Sequence, residues 1–447
     1  MQNLIHKFYL NGVYVVLDVN SGSVHIVDKI IYDIVEDSRT LSSQEISDKY
    51  GYSLEEVSEA IEEIESLIKE EMLFSPPIEI DMVPFQNQNI VKALCLHMAH
   101  DCNLKCTYCF ASQGNFKGNR CLMPIEVGKR ALEFLCENSG NRRNLEVDFF
   151  GGEPLMNFKT VKELVFYGRE LEKKYNKNFR FTLTTNGVLL NDEIMDFLNE
   201  HMSNVVLSID GRKAVNDAMR KTLTDKGSYD IITPKFKKFI EMRKDKDYYI
   251  RGTFTNKNLD FSEDVVDFYN NGYKLVSMEP VVTDPNEPYA IREEHLKEIL
   301  DEYENLSKKY LEIRKKDNKF LFFHFMIDLN QGPCIIKRAS GCGAGHEYMA
   351  VTPEGDLYPC HQFVGEKEFL MGNVFEGVLN KDIVKTFKCA NVFTKDECNS
   401  CWAKFYCSGG CHANSWYSNH NINKVYKIGC EMEKKRIECA ISVLANE

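Results

Sequence analysis

Positive charge is scarce in this chain of 447 residues. Lys and Arg number 55 against 67 Asp and Glu, a formal net charge of -12. Nucleic acid and anionic membranes therefore find no general electrostatic attraction. A long apolar run is missing too. The densest, Phe320 to Ile327, falls short of the ~20 residues that a bilayer span needs, and it contains His324. The opening residues Met1-Gln2-Asn3-Leu4 lead straight into a strand-like pattern, without the basic and apolar regions of a secretion signal. Cysteine, by contrast, is abundant, with 16 residues. Without an export signal, that many thiols point to metal binding rather than disulfides, and the expected compartment is the cytoplasm. Hydrophobic content of 43% and charged content of 27% are ordinary for a globular protein. The length suits about two to four domains.

The thiols are grouped. Asp101-Cys102-Asn103-Leu104-Lys105-Cys106-Thr107-Tyr108-Cys109-Phe110 holds three at C-x3-C-x2-C spacing, just after the apolar run Val91 to Met98. Thiolates are the usual protein donors to a four-iron cluster. A loop this short can wrap three corners of the cube and leave one iron to a small chelating molecule. The alternative is a zinc knuckle lacking a ligand, but zinc motifs pair C-x2-C with a second ligand pair. Beyond 330 come Cys334, Cys342, Cys360, Cys398, Cys401, Cys407, Cys411 and Cys430. Their spacing is C-x7-C-x12-G-x4-C, with Gly355 as the glycine, then C-x2-C-x5-C-x3-C and x18-C. Zinc ribbons are again the alternative. The remaining Cys95, Cys121, Cys136, Cys389 and Cys439 read as buried small side chains.

Residues 1–80 read as a separate domain. A hairpin turning at Asn11-Gly12 precedes a third strand, Ser21 to Val27, and Asp28 is placed to cap a helix over Lys29 to Glu36. Helices over Ser42–Lys49 and Ser53–Glu71 follow, then a short strand or wing at Met72–Ser75. With 5 basic and 16 acidic residues, this winged helix-turn-helix pattern lacks a phosphate-binding surface. Ser75-Pro76-Pro77 opens a linker to Asn89. From about 90 to 320, strands (Val91–Met98, Leu145–Phe150, Phe179–Thr185, Asn204–Ile209, Tyr248–Thr255, Lys274–Val281) alternate with helices (Pro124–Asn138, Phe158–Tyr175, Asn191–Glu200, Asp230–Lys244, Phe261–Asn270, Arg292–Lys316). Alternation of this kind implies parallel strands with crossover helices, an α/β fold of six units. Ligands in such folds sit at the carboxyl ends of strands, where the cysteine loop falls.

The Cys102–Cys109 loop, with Tyr108 between its last two thiols, resembles the signature of radical S-adenosylmethionine (SAM) enzymes. Gly151-Gly152-Glu153-Pro154 is similar to that family's GGEP motif, and Thr185-Asn186-Gly187 to its T-N-G motif. The resemblance implies an open partial (β/α)6 TIM-like barrel. It implies a [4Fe–4S] cluster on Cys102, Cys106 and Cys109, and SAM held by Tyr108, Gly151, Gly152, Glu153, Thr185, Asn186, Ser208, Asp210 and Arg220. Glu153 stands as an anion at the barrel mouth, beside the amino group of SAM.

The C-terminal array (330–447) resembles a SPASM domain with two auxiliary [4Fe–4S] clusters. The resemblance puts one on Cys398, Cys401, Cys407 and Cys430, and the other on Cys342, Cys360 and Cys411. Cys334 completes the second set if its wider spacing permits, and otherwise one iron stays open to a substrate thiolate. His361 stands where sulfatase-maturing relatives commonly have an aspartate base. It is therefore the candidate base, or else a hydrogen-bonding neighbour of the cluster.

The N-terminal domain resembles leader-peptide recognition domains, in which a peptide adds as a strand beside the third strand and third helix. A docking domain without a ligand is the alternative. The three-part layout resembles the maturases of SCIFF peptides, which are short, ribosomally made, cysteine-rich precursors. By this resemblance a 5′-deoxyadenosyl radical abstracts hydrogen from an acceptor residue such as threonine, and a donor cysteine closes a thioether. A flavodoxin- or ferredoxin-type reductant would supply electrons. Formylglycine formation, carbon–carbon crosslinking and a non-catalytic iron–sulfur sensor stay open as alternatives.

Overall fold

The computed structural model describes residues 4–77, 90–329, 339 and 341–447. The linker expected up to Asn89 lies, from 78 on, outside the described residues, as does Cys334. Strands β1 (Ile5–Leu10), β2 (Val13–Asp18) and β3 (Val24–Val27) form an antiparallel sheet in that order. Asn11 and Gly12 turn the hairpin with φ of 50° and 85°, the left-handed pair that a two-residue loop requires. Helices α1 (Lys29–Ile34), α2 (Ser43–Tyr50) and α3 (Leu54–Lys69) follow. Asp28 caps α1 by accepting from the amide of Ile31. Ser42 and Ser53 close capping boxes with Glu45 and Glu56.

The strand or wing expected at Met72–Ser75 does not form. Glu71 and Phe74 have φ of 56° and 52°, which breaks extended pairing, and Ser75 is tied to the end of β2 instead. Buried Asp18 accepts from the Ser75 amide at 2.9 Å, from its hydroxyl, and from the Ser21 amide at 2.7 Å. Asp18→Ala strands these donors and should cost about 2–3 kcal/mol, seen as a lower midpoint for the N-terminal segment in urea unfolding.

Alternation along the strands divides this small sheet between two cores. Phe8, Leu10, Val15 and Leu17 join the main core of the molecule. Ile5 and Val16 join Ile31, Ile34, Ile46, Val57 and Ile64 in a second one.

Six strands lie parallel and in sequential order: β4 (Ala93–Ala99), β5 (Asn144–Gly151), β6 (Asn178–Thr185), β7 (Asn204–Ser208), β8 (Tyr248–Phe254) and β9 (Leu275–Pro280). Between them run α4 (Ile125–Asn138), α5 (Phe158–Tyr175), α6 (Asp192–His201), α7 (Lys213–Met219), α8 (Tyr229–Arg243) and α9 (Phe261–Asn270). The long helix α10 (Leu296–Lys316) follows β9. These are the six expected units, with α7 in addition.

The sheet also reaches further than expected. β10 (Leu321–Phe322) adds parallel to β9, and β11 (Tyr348–Val351) adds parallel to β4 on the other side. β12 (Asp356–Tyr358), β13 (Gly372–Asn373) and β14 (Gly377–Val378) continue antiparallel, and the order stays open between β10 and β14. The cysteine-rich C-terminal part is thus grafted onto the same sheet as the cysteine loop.

One face of the parallel strands is apolar and covered, with Leu145, Val147, Phe149, Phe179, Phe181 and Leu183 all buried. Alternate residues Asp148, Thr182, Thr184, Ser208 and Arg251 are only partly buried or exposed, so the opposite face is polar and accessible. The C-terminal part adds α11 (Lys381–Cys389), α12 (Asp396–Asn399), α13 (Lys404–Cys407), α14 (His412–Asn419) and α15 (Lys427–Leu444). Helix α15 lies along α10, with Lys435 paired to Glu304 at 2.8 Å. No helix among the described residues is long and apolar enough to cross a membrane.

Candidate metal and cofactor site

The cysteine loop leaves β4 at its carboxyl end and is held by its backbone, independently of any metal. The amides of Lys105 and Thr107 donate to the carbonyls of Lys221 (2.8 Å) and Met219 (2.9 Å). This brings the loop against the segment that follows α7, which carries Arg220. From the other side the tip of β5 presses in. A Cβ on Gly152 would stand 2.1 Å from the Asp101 carbonyl oxygen, and one on Gly151 2.5 Å from that of Ala99. Only glycines permit this approach. Gly152 meets Asp101, Asn186 reaches Cys102, and Tyr108 links Asp210 and Arg220 to the loop.

Glu153 follows the two glycines. Its side chain is turned inward and fully buried. One carboxylate oxygen accepts from the Leu155 amide (3.0 Å) and the Thr185 hydroxyl (2.8 Å), and the other from the Asn186 amide (2.9 Å). Burial pushes its pKa up to about 7 against these donors. It is a brace between β5 and β6. Asn186, held by this brace, reaches the loop: its side-chain amide donates to Asn103 Oδ1 at 2.8 Å and to Cys102 Sγ at 3.7 Å. The Leu104 amide donates to the same sulfur at 3.4 Å. Hydrogen bonds to ligand sulfurs are a recognised lever on cluster potential. Asn103 was not singled out from the sequence, and only its position inside the cysteine loop could have drawn attention to it.

Tyr108, Asp210 and Arg220 form one buried unit. The Tyr108 hydroxyl donates to both Asp210 oxygens (2.8 and 2.7 Å) and accepts from Arg220 at 2.7 Å. Asp210 also accepts from the Thr253 amide at 3.1 Å. Arg220 Nε is buried with no partner, a donor left over for an anionic group such as a carboxylate. Ser208 ends β7 beside Arg251.

The described cysteines are all free thiols, and in three groups neighbouring thiols add to the raised pKa of Cys102, Cys106, Cys360, Cys407 and Cys430. Burial pushes Cys102 up to about 12 and Cys106 to about 11, and their neighbours in the loop add to this. Burial likewise raises Cys360, with Cys411 and Cys342 acting on it. Cys407 and Cys430 are each held at about 11, by burial first and then by Cys398 and Cys401 among others. Buried thiols become thiolates readily only where a cationic metal compensates.

Tetrahedral zinc, at a Zn–S distance of ~2.3 Å, needs sulfurs about 3.8 Å apart. Among the described residues no three thiols lie within 4.8 Å of one another, a spacing wider than a tetrahedral zinc knuckle requires. Glycine turns bring the distant thiols together: a Cβ on Gly341 would lie 3.2 Å from the Ser408 carbonyl oxygen.

Of the cysteines read as buried small side chains, Cys95, Cys136 and Cys439 are buried, whereas Cys121 and Cys389 are partly exposed. His361 packs against Phe110 and Phe150, with ring centroids 5.4 and 5.1 Å away, and its Nδ1 lies 3.2 Å from the Tyr348 hydroxyl. Burial lowers its pKa to about 3, a weaker base than histidine in water.

A thiol loop at the carboxyl end of a parallel sheet, with further thiols on an attached domain, suits iron–sulfur chemistry. Residues 96–251 match the model of the radical SAM superfamily, and residues 342–402 match SPASM, an iron–sulfur cluster-binding domain. Together these imply [4Fe–4S] chemistry and SAM as cofactors. The chain is 27% identical over 371 residues to the cysteine-type anaerobic sulfatase-maturating enzyme of Clostridium novyi (strain NT), covering 77% of this chain and 93% of the relative. Its fold is shared with His6-tagged anSMEcpe with bound AdoMet, at a TM-score of 0.65 and 21% identity over 80% of this chain and 98% of that one. It is shared also with Streptococcus suis SuiB bound to precursor peptide SuiA, at a TM-score of 0.51 and 17% identity over 94% and 97%. The domains and relatives support a radical SAM/SPASM maturase.

Proposed function

We propose that this protein is a thioether-forming peptide maturase acting on a ribosomally made, cysteine-rich precursor of the SCIFF type. In this reading residues 1–80 bind the leader, 90–320 form the radical SAM partial barrel and 330–447 hold two auxiliary clusters. The observation that carries it is the sorting of ten thiols into three groups. Cys102, Cys106 and Cys109 would hold the cluster that binds SAM, Cys398, Cys401, Cys407 and Cys430 one auxiliary cluster, and Cys342, Cys360 and Cys411 the other.

When bound, SAM and its cluster supply the one-electron chemistry that removes hydrogen from an unactivated carbon. The chain's own part is positional. Arg220 offers its free Nε to the cofactor's carboxylate, Tyr108 and Asp210 hold that guanidinium in place, and Asn186 fixes the loop. Joining a cysteine sulfur to carbon removes two hydrogens: one would leave as an atom to the cofactor's adenosyl group, the other as a thiol proton and one electron, for which an auxiliary cluster would be the exit. The SuiB complex with its precursor supports a peptide substrate, and His361 in place of an aspartate favours thioether over formylglycine formation.

The test is anaerobic co-production with the cysteine-rich precursor encoded nearby. Each crosslink should remove two hydrogens and mask one thiol in the product's mass spectrum. An unchanged peptide sinks the reading, and an aldehyde in place of a thiol would favour the sulfatase-maturating alternative.

Leader binding has its own test. Asp18 donates its amide to the Ser23 carbonyl at 2.9 Å. Counting by twos along the register of β2 and β3, the amides of Val24 and Ile26 point to the free edge. Ile26 is 58% exposed. Ile26→Pro removes an outward donor and no ladder bond, and should weaken leader-peptide binding about tenfold or more while SAM cleavage without peptide is unchanged. Unaltered affinity in fluorescence anisotropy would place the leader elsewhere.

A further inference from the structure

Behind the cysteine loop, on three separate segments, His100, Cys121 and Glu354 come together. Their ligand atoms all lie within 4.8 Å of one another, the one such group of His, Cys, Asp and Glu among the described residues. His100 ends the run out of β4, two residues before Cys102. Cys121 sits on a strap that pairs back onto that run: the His100 amide donates to the Cys121 carbonyl (2.8 Å), and the Met123 amide to that of Met98 (2.9 Å). Glu354 lies in the turn between β11 and β12, where Gly355 has φ of 91°. We propose that these three residues form a zinc site separate from the iron–sulfur thiols.

Geometry and chemistry agree on this. Cys121 Sγ stands 3.3 Å from Glu354 Oε1, near the roughly 3.5 Å edge that a tetrahedron with Zn–S ~2.3 Å and Zn–O ~2.0 Å requires. A sulfur, an imidazole nitrogen and a carboxylate oxygen make a borderline-soft donor set with room for a water, which suits zinc. The imidazole is already oriented. His100 Nε2 lies 3.1 Å from His97 Nδ1, and Phe116 packs against both rings at 4.4 and 4.7 Å between centroids. This is how the partners of metal-bound histidines hold them, and it leaves Nδ1 for the ion. His97 is fully buried, and its Nε2 has no partner. Its role is confined to holding His100. Glu354 is exposed and Cys121 partly so, so an ion can enter from solvent. The site would staple the β11–β12 turn to the end of β4, next to the loop that carries Cys102.

Zinc titration of the iron-loaded full-length protein, followed by metal analysis after dialysis, tests this. The wild type should retain one zinc per chain beyond its iron. Glu354→Gln, on an exposed turn, and Cys121→Ser should each weaken zinc binding at least about tenfold, with iron content and the absorbance near 400 nm unchanged. Anomalous scattering at the zinc edge should place the ion between the three side chains. Absence of zinc from the wild type, wild-type affinity in Glu354→Gln, or a zinc peak only at the cluster thiols would each overturn the proposal.

Discussion

Replacing Cys102, Cys106 and Cys109 together by Ala is expected to abolish reductive cleavage of SAM while leaving a folded protein that still carries iron. The loop's path does not depend on its thiols, because its amides are bonded to the carbonyls of Met219 and Lys221. The other thiol groups stand on different elements, around α12, α13, α15 and the β12 end. Iron should therefore fall by about a third if three cubes are present, and 5′-deoxyadenosine should drop below detection in an anaerobic dithionite assay. Cleavage persisting at more than a few per cent would mean that another thiol group serves SAM. Loss of all iron would mean that the three sites do not load independently.

The largest effect on stability is expected from Asp210→Ala. Asp210 is wholly buried, and burial pushes its carboxyl up while the Arg220 guanidinium pulls it back. Removing it leaves a nearly buried guanidinium 3.6 Å from where its counter-ion stood, and strands the Tyr108 hydroxyl and the Thr253 amide. Breaking a buried pair by deleting one member costs about 3–5 kcal/mol. The measured quantity is the urea midpoint of the iron-loaded protein against wild type. Tyr108→Phe removes the bridge but keeps both charges, and should cost about 1–2 kcal/mol. Equal losses in the two variants would show that the hydroxyl, rather than the ion pair, dominates.

Local pattern made much of this legible in the sequence. The C-x3-C-x2-C loop needs only its spacing, and six strands fall within two residues of expectation at each end because apolar alternation and flanking helices agree. Grouping of the C-terminal thiols follows the family spacing. The misses depend on tertiary contacts. Glu153 reads as an anion at the barrel mouth, and the amides of Leu155 and Asn186 and the Thr185 hydroxyl that enclose it are brought there only by the fold. β10 and β11, of two and four residues, are too short for periodicity to mark. Met72–Ser75 has strand-forming residues, but two left-handed positions overrule them. Nothing in the sequence ties Cys121 to His100 or Glu354, because the three meet only when the β11–β12 turn docks beside β4.

The small N-terminal sheet gives one face to its own helices and the other to the body of the enzyme, where Asn11 also bonds Ser307 and Ser442 and His6 stacks on Trp402 at 3.8 Å. That makes it a wall of the building and not an annexe. A shortened chain beginning at the catalytic strands would bare the apolar surface that now meets Phe8, Leu10 and Val15, and would be driven to self-associate. Exchanging this unit between relatives would succeed only if the wall's inner face were exchanged with its facing helices, so evolution and engineering alike must carry the unit and its mounting together.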